Sequence, residues 1–152
     1  MKKQSTIRFV KQTDLEKLIT LCEEHALYEK ADFSKEGKKE SLQKHLFSKT
    51  STLHCLVVEL DSKLIGYATY MKQFSTWDAN FYVYMDCLFL NKHSRGLGLG
   101  VELMNQIKQK SIQLDCNLIQ WQTPTFNTGA IKFYNRIGAY SKDKKRFFLD
   151  LK

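Results

Sequence analysis

Two places in the chain hold residue types whose spacing could do chemistry. The first is Arg95-Gly96-Leu97-Gly98-Leu99-Gly100. Three alternate glycines leave backbone N–H groups free of side-chain cover, and a helix that starts behind them adds partial positive charge. With Arg95 at the entrance, the stretch suits a phosphate group; a glycine-rich turn with no ligand is the other reading. A Walker-type loop would need a Lys-Ser/Thr pair after the last glycine, and here Val101-Glu102 follows. The dinucleotide spacing Gly-x-Gly-x-x-Gly is also absent. The second place is Asp86, a carboxylate inside the apolar run 81–90. A buried carboxylate needs a partner or a ligand; a structural hydrogen-bond acceptor is the alternative.

These residues must be held by regular elements, and the periodicities supply them. A strand over 81–90 leads into the glycine turn. An amphipathic helix follows, burying Leu103, Met104, Ile107, Ser111 and Leu114 at three- and four-residue steps. Upstream, 5–10 reads as a strand with Ile7 and Phe9 on one face. A helix begins at Leu15 with Thr13 as its N-cap and ends near Tyr28-Glu29, carrying Leu15, Leu18, Ile19, Cys22 and Ala26 inward. A loop over 30–38 and a short helix over 39–48 come next. Strands at 53–60 and 64–72 are joined by a tight turn at 61–63. A loop over 73–80 holds Trp77. Downstream, 117–122 is a strand ended by Pro124, 127–137 a helix stopped by Gly138, and 146–151 a last strand. The order β-α-α-β-β-β-α-β-α-β makes a mixed α/β domain with an early antiparallel sheet.

The bulk properties fit one domain spanning 1–152. The chain has 152 residues, 43% of them hydrophobic and 26% charged, an ordinary globular balance with enough apolar residues for a real core. No apolar run approaches the ~20 residues of a membrane span. The start, Met1 to Thr6, does not read as a signal peptide, so a cytoplasmic setting is expected. Cys22, Cys55, Cys87 and Cys116 are widely separated, with no Cys-x-x-Cys pair. They read as free buried thiols, and no metal site is expected. The net charge of +8 permits a nucleic-acid partner, but the lysines are scattered rather than massed, and a cofactor with several phosphates suits the charge equally.

Arg95-x-x-Gly98-x-Gly100 resembles the acetyl-CoA pyrophosphate loop of the GNAT superfamily of N-acetyltransferases. A second stretch, Asn127-x-x-Ala130-Ile131-x-Phe133-Tyr134-x-x-x-Gly138-Ala139, resembles the same family, in the order and at the rough spacing that family shows. The resemblance covers nearly the whole chain. It implies a mixed, mostly antiparallel sheet of six to seven strands flanked by about four helices, with two central strands splayed around acetyl-CoA. By that resemblance, Leu88, Phe89 and Leu90 hold the pantetheine arm with their backbone. Arg95 and the amides of Gly96, Leu97, Gly98, Leu99, Gly100 and Val101 hold the pyrophosphate, and Asn127 and Ala130 also touch the cofactor. Tyr134 becomes the acid for the departing thiolate, since a phenol near pKa ~10 is protonated at neutral pH. Asp86 becomes the group that accepts the amine's proton, directly or through a water.

Closer still, the chain is similar to the diamine (spermidine/spermine) and thialysine N-acetyltransferase branch. Leu27-Tyr28-Glu29, Phe74-Ser75-Thr76-Trp77 and Asp86 carry this likeness. It implies a small cationic amine as acceptor, a polyamine foremost, bound by Tyr28, Glu29, Trp77 and Asp86 through charge and cation–π attraction. The branch often has two successive acidic residues on the central strand; here Asp86 is followed by Cys87. A peptide or protein acetyltransferase, and a non-catalytic module binding acyl-CoA or nucleic acid, are the alternatives. A strand at 146–151 would be an exposed edge, and a homodimer is one way to cover it.

Overall fold

The computed structural model describes residues 4–152. Met1 to Lys3, on which the expectation about a signal peptide partly rests, lie outside the described residues. Two compact units divide the chain, Met1–Gln122 and Thr123–Lys152.

The first unit is built on a five-stranded sheet in the order β1-β2-β3-β4-β5. Its strands are β1 (Ser5–Phe9), β2 (Leu53–Leu60), β3 (Lys63–Ser75), β4 (Asn80–Leu90) and β5 (Ile119–Gln120). All pairs are antiparallel except β4 with β5, which is parallel. The β2–β3 turn has Asp61 and Ser62 both at positive φ, the mirror-image two-residue turn that suits the twist of a hairpin. The run Cys55–Val58 is buried at every position, because helices cover both faces of β2 there.

On one face lies α1 (Leu15–Tyr28). Leu15, Leu18 and Leu21 pack on Cys55, Val57 and Tyr67, with Cys22, Leu42, Cys87 and Phe89 around them. Burying each leucine contributes about 2 kcal/mol. The second helix, α2 (Lys38–Phe47), supplies Leu42, Leu46 and Phe47 to the rim of that cluster. The other face carries α3 (Leu99–Gln113), whose Leu99, Leu103, Met104 and Ile107 are buried. Lys110 of α3 sits 4.5 Å from the ring centroid of Phe9. Phe9 pairs with Leu56, which identifies the face that α3 covers.

The start of α1 differs from the expected cap at Thr13. A 3₁₀ turn, Gln12–Asp14, precedes the helix, and Asp14 is the N-cap position. Its carboxylate accepts from the Lys11 N–H at 2.7 Å and from the Arg8 guanidinium at 2.7 and 3.1 Å. Arg8 also reaches Glu59 at 2.9 Å. One fork thus ties β1, β2 and the helix start together. Its hydrogen bonds hold the Asp14 carboxyl below the usual carboxylate range. The far end of α1 closes as a Schellman motif, with Lys30 N–H donating to Leu27 and Ala31 N–H to Ala26. Lys30 takes the left-handed conformation that this needs.

The hairpin after β3 also differs from expectation. Both strands run further than the expected loop 73–80 allows, leaving only a turn at 76–79. The strand expected over 117–122 shrinks to the two residues of β5. In the second unit, α4 (Thr128–Arg136) is closed by Gly138 at φ +94°. Gly138 N–H donates to Asn135 and Ala139 N–H to Tyr134, again a Schellman closure. The last expected strand is not formed. Among the described residues nothing pairs with 146–151, and Phe147, Phe148, Leu149 and Leu151 are exposed. A strand exists only where a neighbour takes its backbone groups, so apolar alternation alone did not make one. Among the described residues the fold is therefore α+β with four α-helices and five strands, not six or seven. None of the described helices is long and apolar enough to cross a membrane.

Gly66 sets the approach of β3 to β4. A Cβ there would stand 2.7 Å from the Phe89 carbonyl oxygen and collide with the Leu90 side chain. Gly66→Ala is expected to cost about 1–3 kcal/mol, read as a lower denaturant midpoint with an unchanged slope.

Candidate functional site

The strand β4 is bonded to β3 along nearly its whole length, from Asn80 to Leu90. Its other edge pairs with β5 only at Val83 and Tyr84. Beyond Tyr84, among the described residues, that edge has no strand partner. Leu88, Phe89 and Leu90 sit on this open edge, half-buried. An open edge offers N–H and C=O groups to any amide-bearing chain laid alongside it.

The path from β4 to α3 is stiff for local reasons. The Asn91 side chain accepts from the His93 N–H at 3.1 Å, starting a 3₁₀ turn, Lys92–Ser94. Ser94 is buried, and its hydroxyl donates to the Asn91 carbonyl at 2.7 Å. Arg95 then points the chain outward, exposed. Gly96 and Gly98 have φ of +76° and +72° with open space where a Cβ would be, a backbone that L side chains rarely adopt. Gly98 is the N-cap of α3 and has no side chain to bond the first amides. Helix geometry leaves the N–H groups of Leu99, Gly100 and Val101 without intrahelical acceptors. Free donors and the helix dipole at the start of α3, with an exposed Arg95 just before them, are features that could hold an anion.

Asp86 is exposed rather than buried. The β3–β4 register slips between Thr69 and Tyr70, so that Thr69 faces Cys87, Tyr70 faces Met85, and Asp86 faces no residue. It is the extra residue of a β-bulge. The bulge turns its carboxylate out of the core, which corrects the expectation of a carboxylate enclosed by apolar neighbours. Cys87 donates a weak S–H contact to it at 3.6 Å.

Tyr28 and Glu29 come together around a residue the sequence reading did not single out, His25, and the charge of Asp86 acts on it too. The Glu29 carboxylate pairs with His25 Nε2. His25 Nδ1 is 2.8 Å from the Tyr67 hydroxyl. The His25 ring stacks on Phe89 at 5.1 Å, and the Tyr28 ring lies 6.4 Å from the same phenylalanine. Burial lowers the His25 pKa, while the charges of Glu29 and Asp86 oppose that shift. Burial likewise raises the Tyr67 phenol and the Cys22 thiol, and pushes Cys87 up to about 12. The thiols are therefore protonated and unreactive at neutral pH. The signal for His25 was present in the sequence as its four-residue spacing from Glu29 on a helix.

Trp77 does not join this group. It is 97% exposed in the turn before β4. From Asn80 to Phe89 the strand covers about 30 Å at ~3.3 Å per residue. The turn lies beside Phe74 and Phe81, whose rings meet edge to face at 5.1 Å. In the second unit, Asn127 is the N-cap position of α4, and its side-chain N–H donates to the Thr123 hydroxyl at 3.1 Å. Ala130 and Tyr134 follow on the helix, both half-buried. The Tyr134 ring lies 5.6 Å from that of Phe133.

Residues 15–139 match the family described as acetyltransferase (GNAT) family. The chain is similar to thialysine N-epsilon-acetyltransferase of Bos taurus, 26% identical, over 88% of this chain and 82% of that one. It is also similar to spermidine/spermine N(1)-acetyltransferase-like protein 1 of Homo sapiens. That likeness is 23% identical and covers 88% of this chain but 20% of the relative. Among solved structures, an aminoglycoside acetyltransferase from an uncultured soil metagenomic sample superposes with a TM-score of 0.81. It covers 97% of both chains at 19% identity, which shows a shared fold.

His25 and His54 both have pKa values lowered chiefly by burial. Unfolding returns each to about 6.5, so below that pH the unfolded chain binds the extra protons. Stability is expected to fall as pH drops through about 6.5. Urea midpoints across that window should show it, and His25→Gln should flatten part of the slope.

Proposed function

Because the chain belongs to the GNAT family of acetyltransferases and is an acetyl-CoA-dependent N-acetyltransferase, we propose that its acceptor is a small cationic amine, a polyamine foremost. The observation that carries this reading is the Glu29 carboxylate paired with His25 beside the open edge of β4, with the charge of Asp86 also acting on that ring. Two anionic groups with the Tyr28 ring nearby suit an ammonium group and the methylenes next to it. The names of the distant thialysine and spermidine/spermine relatives point the same way.

The residues present fit the co-substrate. The unpaired edge of β4 at Leu88, Phe89 and Leu90 suits the amides of a pantetheine arm. The glycine loop from Gly96 to Val101, with Arg95, suits its diphosphate. Asn127 and Ala130 complete the cofactor contacts in this reading. When bound, acetyl-CoA supplies an acetyl group activated as a thioester. Asp86, exposed on its bulge, takes the proton of the acceptor ammonium directly or through a water, leaving a neutral amine to attack. Tyr134 would give its phenolic proton to the departing thiolate and regain one from the acylated nitrogen. Glu29 and Tyr28 hold the distal end of the acceptor. Trp77, about 30 Å along β4 from the Tyr28 contact, would serve this acceptor only from another copy of the chain.

A homodimer in a cytoplasmic setting accompanies this reading. Its supports are the exposed Phe147, Phe148, Leu149 and Leu151 and four free cysteines, which a reducing compartment preserves. Sedimentation should show a dimer that Phe147→Asp and Leu149→Asp dissociate; a monomer at the highest soluble concentration would remove this part.

The central test is an amine panel that includes spermidine, thialysine and short peptides, with thiol release from acetyl-CoA as the readout. Polyamines should lead it; release with peptides alone would replace the acceptor assignment. Calorimetry should give acetyl-CoA binding at micromolar Kd or tighter, about 8 kcal/mol. Tyr134→Phe should lower turnover roughly 10–1000-fold with cofactor affinity unchanged. Full turnover in that variant would take the acid role away from Tyr134.

A further inference from the structure

Glu29 closes the last turn of α1, where the helix carbonyls present partial negative charge. A carboxylate there is pushed toward water unless something holds it. His25, one turn earlier on the same face, does so through Nε2. A carboxylate can only accept, so Nε2 must carry a hydrogen. A neutral imidazole has a single N–H, so Nδ1 is an acceptor. The Tyr67 hydroxyl, 2.8 Å away, must then donate to it. Tyr67 is 2% exposed, and burial keeps its phenol protonated. The Phe89 ring stacked on the imidazole, and Tyr67 edge-on at 5.8 Å, fix the ring plane. Each donor thus has one acceptor, and the chain runs from Tyr67 through His25 to Glu29.

We infer that this Tyr67–His25–Glu29 chain positions the Glu29 carboxylate for the acceptor's cationic end, with His25 as a positioning residue for acceptor binding. The inference rests on the reading of Glu29 as an acceptor anchor. The groups facing His25 decide its response to pH. Glu29 and Asp86 are the charged ones, and Tyr67 is neutral. The thiols of Cys22 and Cys87 are neutral as well, raised by burial; Lys38 acts on Cys22. Protonating His25 would place a hydrogen on Nδ1. The Tyr67 hydroxyl would then have to accept it and turn its own hydrogen away from the ring. The imidazolium would also cancel the charge that Glu29 offers the acceptor. Acidification should therefore raise the acceptor KM beyond the effect of the acceptor's own titration.

The first measurement needs no acceptor. Two-bond ¹H–¹⁵N correlation on the full chain reads each histidine tautomer, and His25→Gln assigns the His25 signals. The expected state at neutral pH is uncharged with hydrogen on Nε2, and Glu29→Gln should lower its pKa further. An Nδ1–H tautomer, or a titration indifferent to Glu29→Gln, would overturn the chain. The second measurement uses spermidine as the probe. His25→Leu is expected to raise the spermidine KM about tenfold while kcat and the acetyl-CoA KM hold within about twofold. Tyr67→Phe, which keeps the buried ring, should raise the same KM by a smaller factor. His25→Gln, whose amide can still donate to Glu29, should restore the KM and abolish its rise on acidification. If Glu29→Gln raises the spermidine KM but His25→Leu and Tyr67→Phe leave it alone, the chain is wrong and the anchor stands. If Glu29→Gln itself leaves that KM unchanged, the anchor falls, and this inference with it.

Discussion

One strand with two unequal edges governs the rest of this molecule. β4 is hydrogen-bonded to β3 from Asn80 to Leu90 and to β5 at Val83 and Tyr84 alone. Backbone groups inside a protein must be satisfied. Leaving one edge of a central strand open is therefore a cost that a ligand can offset. Everything chemically interesting in the first unit lies along or at the end of that open length: the half-buried Leu88–Leu90 backbone, the glycine loop, and the His25 group stacked on Phe89.

The bulge in β4 is the second constraint, and it acts through parity. In a regular strand, alternate residues share a face. Inserting one unpaired residue at Asp86 puts Met85 and Val83 against α3 while Cys87 and Phe89 stay against α1. The same insertion delivers one carboxylate to the surface from the middle of a buried strand. Neither the buried core nor the exposed acid is disturbed, because the extra residue absorbs the conflict between them.

The electrostatics around His25 follow from its neighbours on three elements. α1 supplies Glu29 by helical spacing, β3 supplies the Tyr67 hydroxyl from within the core, and β4 supplies Asp86 and the Phe89 ring. Burial favours the neutral imidazole and the two carboxylates favour the charged one, with burial the larger effect. Two carboxylates thereby act on a neutral imidazole in a protein whose overall charge is +8.

Much of this was legible in residue order alone. Helical periodicity located α1, α3 and α4 to within a residue or two, because a buried stripe repeats every 3.6 residues whatever it packs on. The glycine spacing marked the turn into α3, because positive φ at Gly96 and Gly98 is a local demand that few other residues meet. What residue order could not decide was pairing. Residues 146–151 alternate as a strand should, yet lack a neighbour among the described residues. β5 has strand-forming residues on both sides of the two that pair. Asp86 and Trp77 have side chains of the right kind, but a register slip put one at the surface and the length of β4 put the other far from Tyr28. His25 was not singled out in residue order, because its partner Tyr67 lies forty-two positions away. Hydrogen bonds between distant segments depend on where both ends arrive, and only the tertiary structure sets that.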